Sequence, residues 1–210
     1  MIYHRKKNMK FQKLELFPTS LVRVDVSDSI TNEDHEDMMN YTDELIDRGE
    51  VQPCPPAPLY QTNPIVFRDD SDAAFLKLRS TFLDACGVYL SCVPDFTPNQ
   101  QALEPAGTGA WVYKGWSDLN ETQTNPWHHH NPAFLSGVYY LKVPGDHESG
   151  GTEFHDPRIA EGHSTRHQAV NPIEKTWLIF PGWLPHKTNY AESNNPRYVV
   201  AANLYVRVRY

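Results

Sequence analysis

Cysteine is scarce in this 210-residue chain. The three present, Cys54, Cys86 and Cys92, are odd in number and show no C-x-x-C spacing. Neither a disulfide framework nor a thiolate zinc site is indicated, and a reduced, cytoplasmic setting is expected. No run of about 18 apolar residues occurs, so no transmembrane helix is expected. No apolar stretch follows the basic start His4-Arg5-Lys6-Lys7, so no secretory leader is expected either. That start reads as a solvated terminus rather than a membrane anchor, and Met9 is a second candidate initiator, which makes residues 1–8 an extension. Positive charge is in deficit, with 19 Lys and Arg against 26 Asp and Glu and a net charge of −7. A dedicated nucleic-acid binder would carry a basic patch instead. Glycine is thin as well, 11 residues against 17 prolines.

What is present is a β-rich composition. Apolar residues make up 40% and aromatics 12% of the chain, enough for a sizeable core; prolines and aromatics together favour strands and tight loops over helices. The length fits one generous β domain with helical additions, here residues 9–210. From Lys10 to Val26 loose alternation predicts one or two short strands. Ser29 to Arg48 predicts a helix, with capping side chains at Thr31, Asn32 and Asp34, an apolar stripe from Met38 to Ile46, and Gly49 as its stop. Residues 51–66, with Pro53, Pro55, Pro56, Pro58 and Pro64, read as a surface loop. A second helix is predicted from Asp72 to about Val88 on the spacing of Phe75, Leu78, Phe82, Leu83 and Cys86. Strands are predicted at Gly107–Trp116, Leu135–Val143, Gly151–His155, Lys175–Phe180 and Arg197–Val208. The plan is a helical brace over about 29–90 and a β core over about 107–210, an antiparallel sandwich or barrel.

Ten histidines are unevenly placed, eight of them in the 59 residues from His128 to His186. In an extended chain alternate side chains share a face, so His128 and His130 project together and His129 points away. His186 follows the strand ending at Phe180 and the turn Pro181-Gly182, and antiparallel pairing would bring it to the other two. Two histidines on one strand and one on a distant strand form a metal-site pattern, suited to Fe(II), Mn, Ni or Zn. The competing reading is a solvated histidine loop.

Several ordered motifs then agree. His128-x-His130, Leu135-Ser-Gly-Val-Tyr-Tyr-Leu-Lys-Val-Pro144, Ser149-Gly-Gly-Thr-Glu-Phe-His-Asp-Pro-Arg158, Leu178-Ile-Phe-Pro-Gly-Trp-Leu-Pro-His186 and Arg197 resemble the 2-oxoglutarate/Fe(II) oxygenases of bacteria and marine phages. The likeness extends back to Leu16-Phe-Pro-Thr-Ser20 and so covers nearly the whole chain from residue 9. Val138-Tyr-Tyr-Leu141 followed by Ser149-Gly-Gly151 is similar, more distantly, to the prolyl hydroxylases. The resemblance implies a double-stranded β-helix, a jelly-roll relative, and Fe(II) held by an H-x-D/E pair and a distal histidine. It implies 2-oxoglutarate as cosubstrate, its far carboxylate meeting an Arg or Lys about ten residues beyond that histidine. Arg197 stands eleven residues beyond His186, and a guanidinium matches a carboxylate with paired donors and stays charged when buried. Tyr140 aligns with a tyrosine that contacts the cosubstrate tail; Ser136 shares its face, and Asn203 shares the face of Arg197, so both join the cofactor-binding candidates.

The implied carboxylate is absent, because position 130 is His. His128, His130 and His186 are the expected ligands, with two alternatives: Asp156 supplies the carboxylate, or His129 replaces a neighbour. Trp127 and Trp183 are expected to wall the cavity, Asp156 to supply that carboxylate or to form a structural salt bridge with Arg158, and the remaining histidines to have no catalytic part. The leading function is a dioxygenase that couples oxidation of 2-oxoglutarate to hydroxylation of a small molecule or a protein side chain, with O2 as reactant and no nucleic-acid or membrane partner, in a cytoplasm that is that of the host if the chain is phage-encoded. The alternatives are a cupin-like three-histidine metalloenzyme that does not use 2-oxoglutarate, and a non-enzymatic jelly-roll binding module.

Overall fold

The computed structural model describes residues 19–52, 59–63, 67, 72–93, 103–113, 126–143, 145, 150–156, 167–189 and 195–206. The N-terminal extension, the motif at Leu16, the five prolines of the 51–66 stretch, Arg158 and the chain beyond 206 lie outside them.

Among the described residues two helices form much as their end signals dictate. Helix α1 (Asn32–Asp47) starts at the N-cap Thr31, whose hydroxyl accepts from the Asp34 N–H while the Asp34 carboxylate accepts from the Thr31 N–H. It stops at Gly49, which takes φ 73° and donates to the Ile46 carbonyl while Glu50 donates to Leu45. Only a residue without a Cβ adopts that left-handed turn cheaply. Helix α2 (Ala73–Cys92) is capped by the Asp72 side chain and runs four residues past the predicted end. Tyr89 is buried on it, and the chain leaves the helix at Val93, the residue before Pro94, where helical geometry is disfavoured.

Among the described residues nine strands form two antiparallel sheets. The larger takes the order β1 (Val22–Asp25), β7 (Thr176–Pro181), β4 (Leu135–Lys142), β9 (Arg197–Val206), β3 (Leu103–Tyr113), β2 (Leu59–Gln61). The smaller has the order β6 (His167–Val170), β5 (Thr152–His155), β8 (His186–Thr188). Residues 59–61 correct the expected loop: Leu59 and Gln61 are buried and pair with β3. Strand β3 likewise begins at Leu103, ahead of the predicted Gly107. The region read as a helical brace therefore contributes β2 to the sheet, and β1 is the short strand expected within Lys10–Val26.

Alternation along the large sheet divides the core. Leu135, Tyr139 and Leu141 of β4, Trp177 and Ile179 of β7, and Tyr198, Val200, Ala202 and Leu204 of β9 face the helices, against Met38, Phe75, Leu78, Phe82 and Cys86. Their neighbours Val138, Tyr140, Leu178, Phe180 and Val199 face the small sheet and pack with Phe154 and Leu184. The aromatic rings of Phe154 and Phe180 meet edge to face across the gap at 5.0 Å. The double-stranded β-helix expected from the resemblance is thus present, with the helices bracing the back of the larger sheet.

Candidate metal centre between the sheets

The three predicted histidines meet on the inner side. His128 N–H donates to the His186 carbonyl at 3.0 Å and His186 N–H returns a bond to His128 at 2.9 Å, so the segment entering β4 adds itself beside β8. Directly opposed residues in such a pair have close side chains, and the two imidazole centroids are 4.3 Å apart. His130, two residues on, lies on the same face, 5.0 Å from each of the others. His130 N–H donates to the Gly182 carbonyl at 2.7 Å and Gly182 N–H to Phe134 at 3.1 Å. These bonds tie the histidine segment to the turn after β7. A Cβ at Gly182 would lie 2.2 Å from the Ala133 carbonyl oxygen, which is why glycine occupies the turn.

One nitrogen from each of the three rings falls within 4.8 Å of the others, and no carboxylate belongs to the cluster among the described residues. Asp156, weighed as a ligand, is outside it. His129 is exposed, and its Nδ1 accepts from the Asn131 N–H, as alternation predicts.

The tautomers follow from the partners. A carbonyl oxygen only accepts, so His128 Nδ1–H donates to Pro126 at 2.7 Å and His186 Nδ1–H to Leu184 at 2.9 Å. Each ring then presents Nε2 with its lone pair, the form a metal takes. Burial, reinforced by the neighbouring imidazoles, pushes His186 down to about 3 and His130 to about 4. His128 is lowered by burial too, against the opposing pull of the Pro126 carbonyl. All three rings are therefore neutral near pH 7, which metal binding requires. Such a set of neutral nitrogens suits a borderline divalent ion of the first transition row, Fe(II) included.

The polar residues predicted beside the histidines fall into two groups. Arg197 is 2% exposed. Its Nε–H donates to the Gly150 carbonyl, and its guanidinium stands 5.8 Å from the Tyr140 ring centre. The Tyr140 hydroxyl hydrogen-bonds Thr152 Oγ1 at 2.8 Å, and burial raises its pKa, so the phenol keeps its proton. Thr152 escaped the sequence reading; its one signal is that it alternates with Phe154 along β5. Since Thr152 pairs with Thr188 and Phe154 with His186, this polar group lies one inward step from the histidines, roughly 7 Å at two residues per step. The second group is Ser136 and Asn203. Ser136 Oγ donates to Asn203 Oδ1 at 2.7 Å, and Asn203 Nδ2 reaches Tyr205 Oη at 3.5 Å. Ser136 is the register partner of Phe180, whose ring is 4.7 Å from that of His186, so this pair sits toward the histidine end.

One expectation changes. Trp127 does not wall the cavity: its ring lies on the outer face of the small sheet, 5.5 Å from His155, 5.0 Å from His167 and 5.1 Å from Lys187 Nζ. It alternates with His128, so pointing one inward turns the other out. Trp183 is half-exposed in the turn before Leu184. His147 and His163 lie outside the described residues.

Comparison with known proteins agrees with this arrangement. Residues 115–203, which hold all three histidines and Arg197, match the family model described as "Putative 2OG-Fe(II) oxygenase". No curated protein matches the chain in sequence. Among solved structures the chain is similar in fold to AviO1 from Streptomyces viridochromogenes Tue57, at TM-score 0.63 and 11% identity over 91% of this chain and 92% of that one. It is similar to HygX from Streptomyces hygroscopicus, solved with nickel and 2-oxoglutarate bound, at 0.56 and 14% over 88% and 83%. A Pseudomonas putida prolyl-4-hydroxylase gives 0.53 and 11% over 90% and 94%. The family match spans the histidine cluster and the fold is shared along the chain, so residues 115–203 are similar to the 2-oxoglutarate/Fe(II) oxygenases and the chain has the fold of such enzymes.

Proposed function

We propose that the chain is a dioxygenase that converts O2, 2-oxoglutarate and a substrate C–H into succinate, CO2 and the hydroxylated product. The observation that carries this reading is the buried Arg197, held beside Tyr140 one inward step from the histidine cluster. His128, His130 and His186 are the metal ligands, each offering a neutral nitrogen, with the carbonyls of Pro126 and Leu184 fixing two of the rings. Arg197 and the Tyr140–Thr152 pair receive the far carboxylate of the cosubstrate. The spacing of one step suits a five-carbon dicarboxylate that reaches the metal with its keto acid end. Ser136 and Asn203, toward the histidine end, line that second part of the cosubstrate.

Bound Fe(II) with 2-oxoglutarate supplies the oxidising chemistry, in which one atom of O2 enters succinate and the other enters the C–H bond. The chain binds, orients and dries the site. Phe154, Phe180, Leu178, Leu184 and Val199 enclose it with apolar surface, which strengthens the Arg197–carboxylate attraction by lowering the local dielectric. No side chain has to act as nucleophile or general base. The hydroxylated substrate is a small molecule or a protein side chain; a neighbour in fold is a Trichoplax adhaerens prolyl hydroxylase solved with a peptide fragment.

Arg197→Ala tests the reading. Calorimetric titration of the Mn(II)-loaded protein with 2-oxoglutarate is expected to show roughly 10- to 100-fold weaker binding, the worth of a buried charge-assisted pair, while Mn(II) affinity changes little. Arg197→Lys, which keeps the charge and loses the fork, should fall between. Unchanged cosubstrate affinity in both variants would point instead to the three-histidine enzyme that does without 2-oxoglutarate.

A further inference from the structure

The small sheet carries histidines on both of its faces. Phe154 and His186 are register partners that point inward, and the residues alternating with them point outward: Glu153 and His155 of β5, His167 of β6 and Lys187 of β8. His155 and His167 are themselves register partners, so their side chains stand next to each other across the strand pair. Their ring centroids are 5.1 Å apart, close to the 5.0 Å that separates His130 from each of its neighbours in the inner cluster. Trp127 lies against both rings, at 5.5 Å and 5.0 Å. Ring packing accounts for that contact, but it does not account for the carboxylate behind one ring. Glu153 Oε1 accepts from His167 Nδ1 at 2.9 Å, and Glu153 Oε2 pairs with Lys187 Nζ at 3.2 Å. A carboxylate only accepts, so the hydrogen sits on Nδ1 and Nε2 is the ligating nitrogen of His167. A carboxylate on the far nitrogen also fixes the ring and raises its basicity, as it does for metal-bound imidazoles.

We infer that His155 and His167 form a second metal site, on the outer face of the small sheet, with Glu153 as the positioning residue behind His167. Paired imidazoles select a borderline divalent ion of the first transition row, Zn(II), Ni(II) or Cu(II), over Mg(II) and Ca(II), which take oxygen ligands. Water completes the coordination, since His167 is exposed and His155 half-exposed. The site stands apart from the oxygenase reading, because its ligands point away from the face that holds His186. An ion bound there ties β6 to β5 and lies against Trp127, the residue before His128, so its occupancy braces the segment that enters the inner cluster.

Calorimetric titration of the metal-free protein with Zn(II) is expected to show two classes of site. His155→Ala and His167→Ala should each weaken the second class at least about tenfold, the least expected when even an outer partner of a ligand is lost, and leave the first class unchanged. Glu153→Gln should weaken the second class by roughly tenfold, and His186→Ala should weaken the first and spare the second. Fluorescence then places the ion. In His186→Ala, Cu(II) bound beside Trp127 should quench indole emission, because a paramagnetic ion in contact range drains the excited ring. Adding Trp127→Phe or His167→Ala to that variant should remove the quench. A single class of site in the wild type overturns the inference, and so does a second class of equal affinity in wild type, His155→Ala and His167→Ala. A quench that survives His167→Ala overturns it as well. A second class that behaves as expected while His186→Ala leaves the first class unaltered supports the outer site and counts against the inner ligand set instead.

Discussion

In the proposed reading three imidazoles and one guanidinium carry the chemistry, and substitution is expected to separate their roles. His186 is the most buried of the three rings and is oriented by the Leu184 carbonyl. His186→Ala is therefore expected to cost more metal affinity than the roughly 10- to 100-fold typical of losing an outer partner of a ligand. Equilibrium dialysis with Mn(II) checks this, and full stoichiometry at unchanged affinity would remove His186 from the ligand set. The grouping of these residues was legible in the sequence because a two-residue period puts His128 and His130 on one side and His129 on the other. Their tautomers were not legible. They depend on the Pro126 and Leu184 carbonyls, which come within reach only through the local turn of the backbone. Thr152 was hidden for a similar reason: a threonine in a strand has no distinguishing spacing, and it matters because its hydroxyl meets Tyr140 across the gap between sheets.

At the scale of elements, the long apolar strands were readable, and of the short ones β1 and β5 were readable while β2, β6 and β8 were not. In β4, β7 and β9 apolar residues occupy both faces, one toward the helices and one toward the small sheet, and their lengths exceed a single period several times over. Strands β6 and β8 hold four and three residues, too few to establish alternation, and β6 is mostly exposed. Strand β2 was masked by the prolines around it. The 180s turn shows how a connection controls the site. Gly182 accepts the His130 N–H and packs against Ala133, so Gly182→Ala pushes the turn and the histidine segment apart. The expected outcome is about 1–3 kcal/mol of lost stability, as for other overpacked sites, with a drop in Mn(II) affinity beside it. Urea unfolding and metal titration of the same variant check both; loss of stability with intact metal binding would show that the turn does not position His130.

The whole molecule is a sheet with two differently used faces, one buried by helices and one by the site. The helix-facing side includes a polar contact: His35 of α1 meets the Tyr139 hydroxyl at 2.6 Å, back to back with Tyr140 of the site. Burial, with help from the Lys175 charge and against Asp34, holds His35 down to about 4 from an ordinary 6.5. His130 and His186 are depressed in the same sense. Between pH 6.5 and about 4 the unfolded chain takes up protons that the folded metal-free protein refuses, so stability is fully present above 6.5 and falls as pH drops through that interval. The urea midpoint of metal-free protein should decline across it. His35→Gln should reduce the decline, while a flat profile would contradict the account. Among the described residues no helix is long and apolar enough to cross a membrane.

The central claim is that one enclosure holds both a metal on the histidines and 2-oxoglutarate on Arg197. Anaerobic addition of 2-oxoglutarate to the Fe(II)-loaded protein, followed by visible absorption, tests it most directly. A metal-to-ligand charge-transfer band is expected in the wild type, absent from His186→Ala for want of iron and weakened in Arg197→Ala at full iron content. An iron-loaded wild type that develops no band at saturating 2-oxoglutarate, and forms no succinate when O2 is admitted, would contradict it.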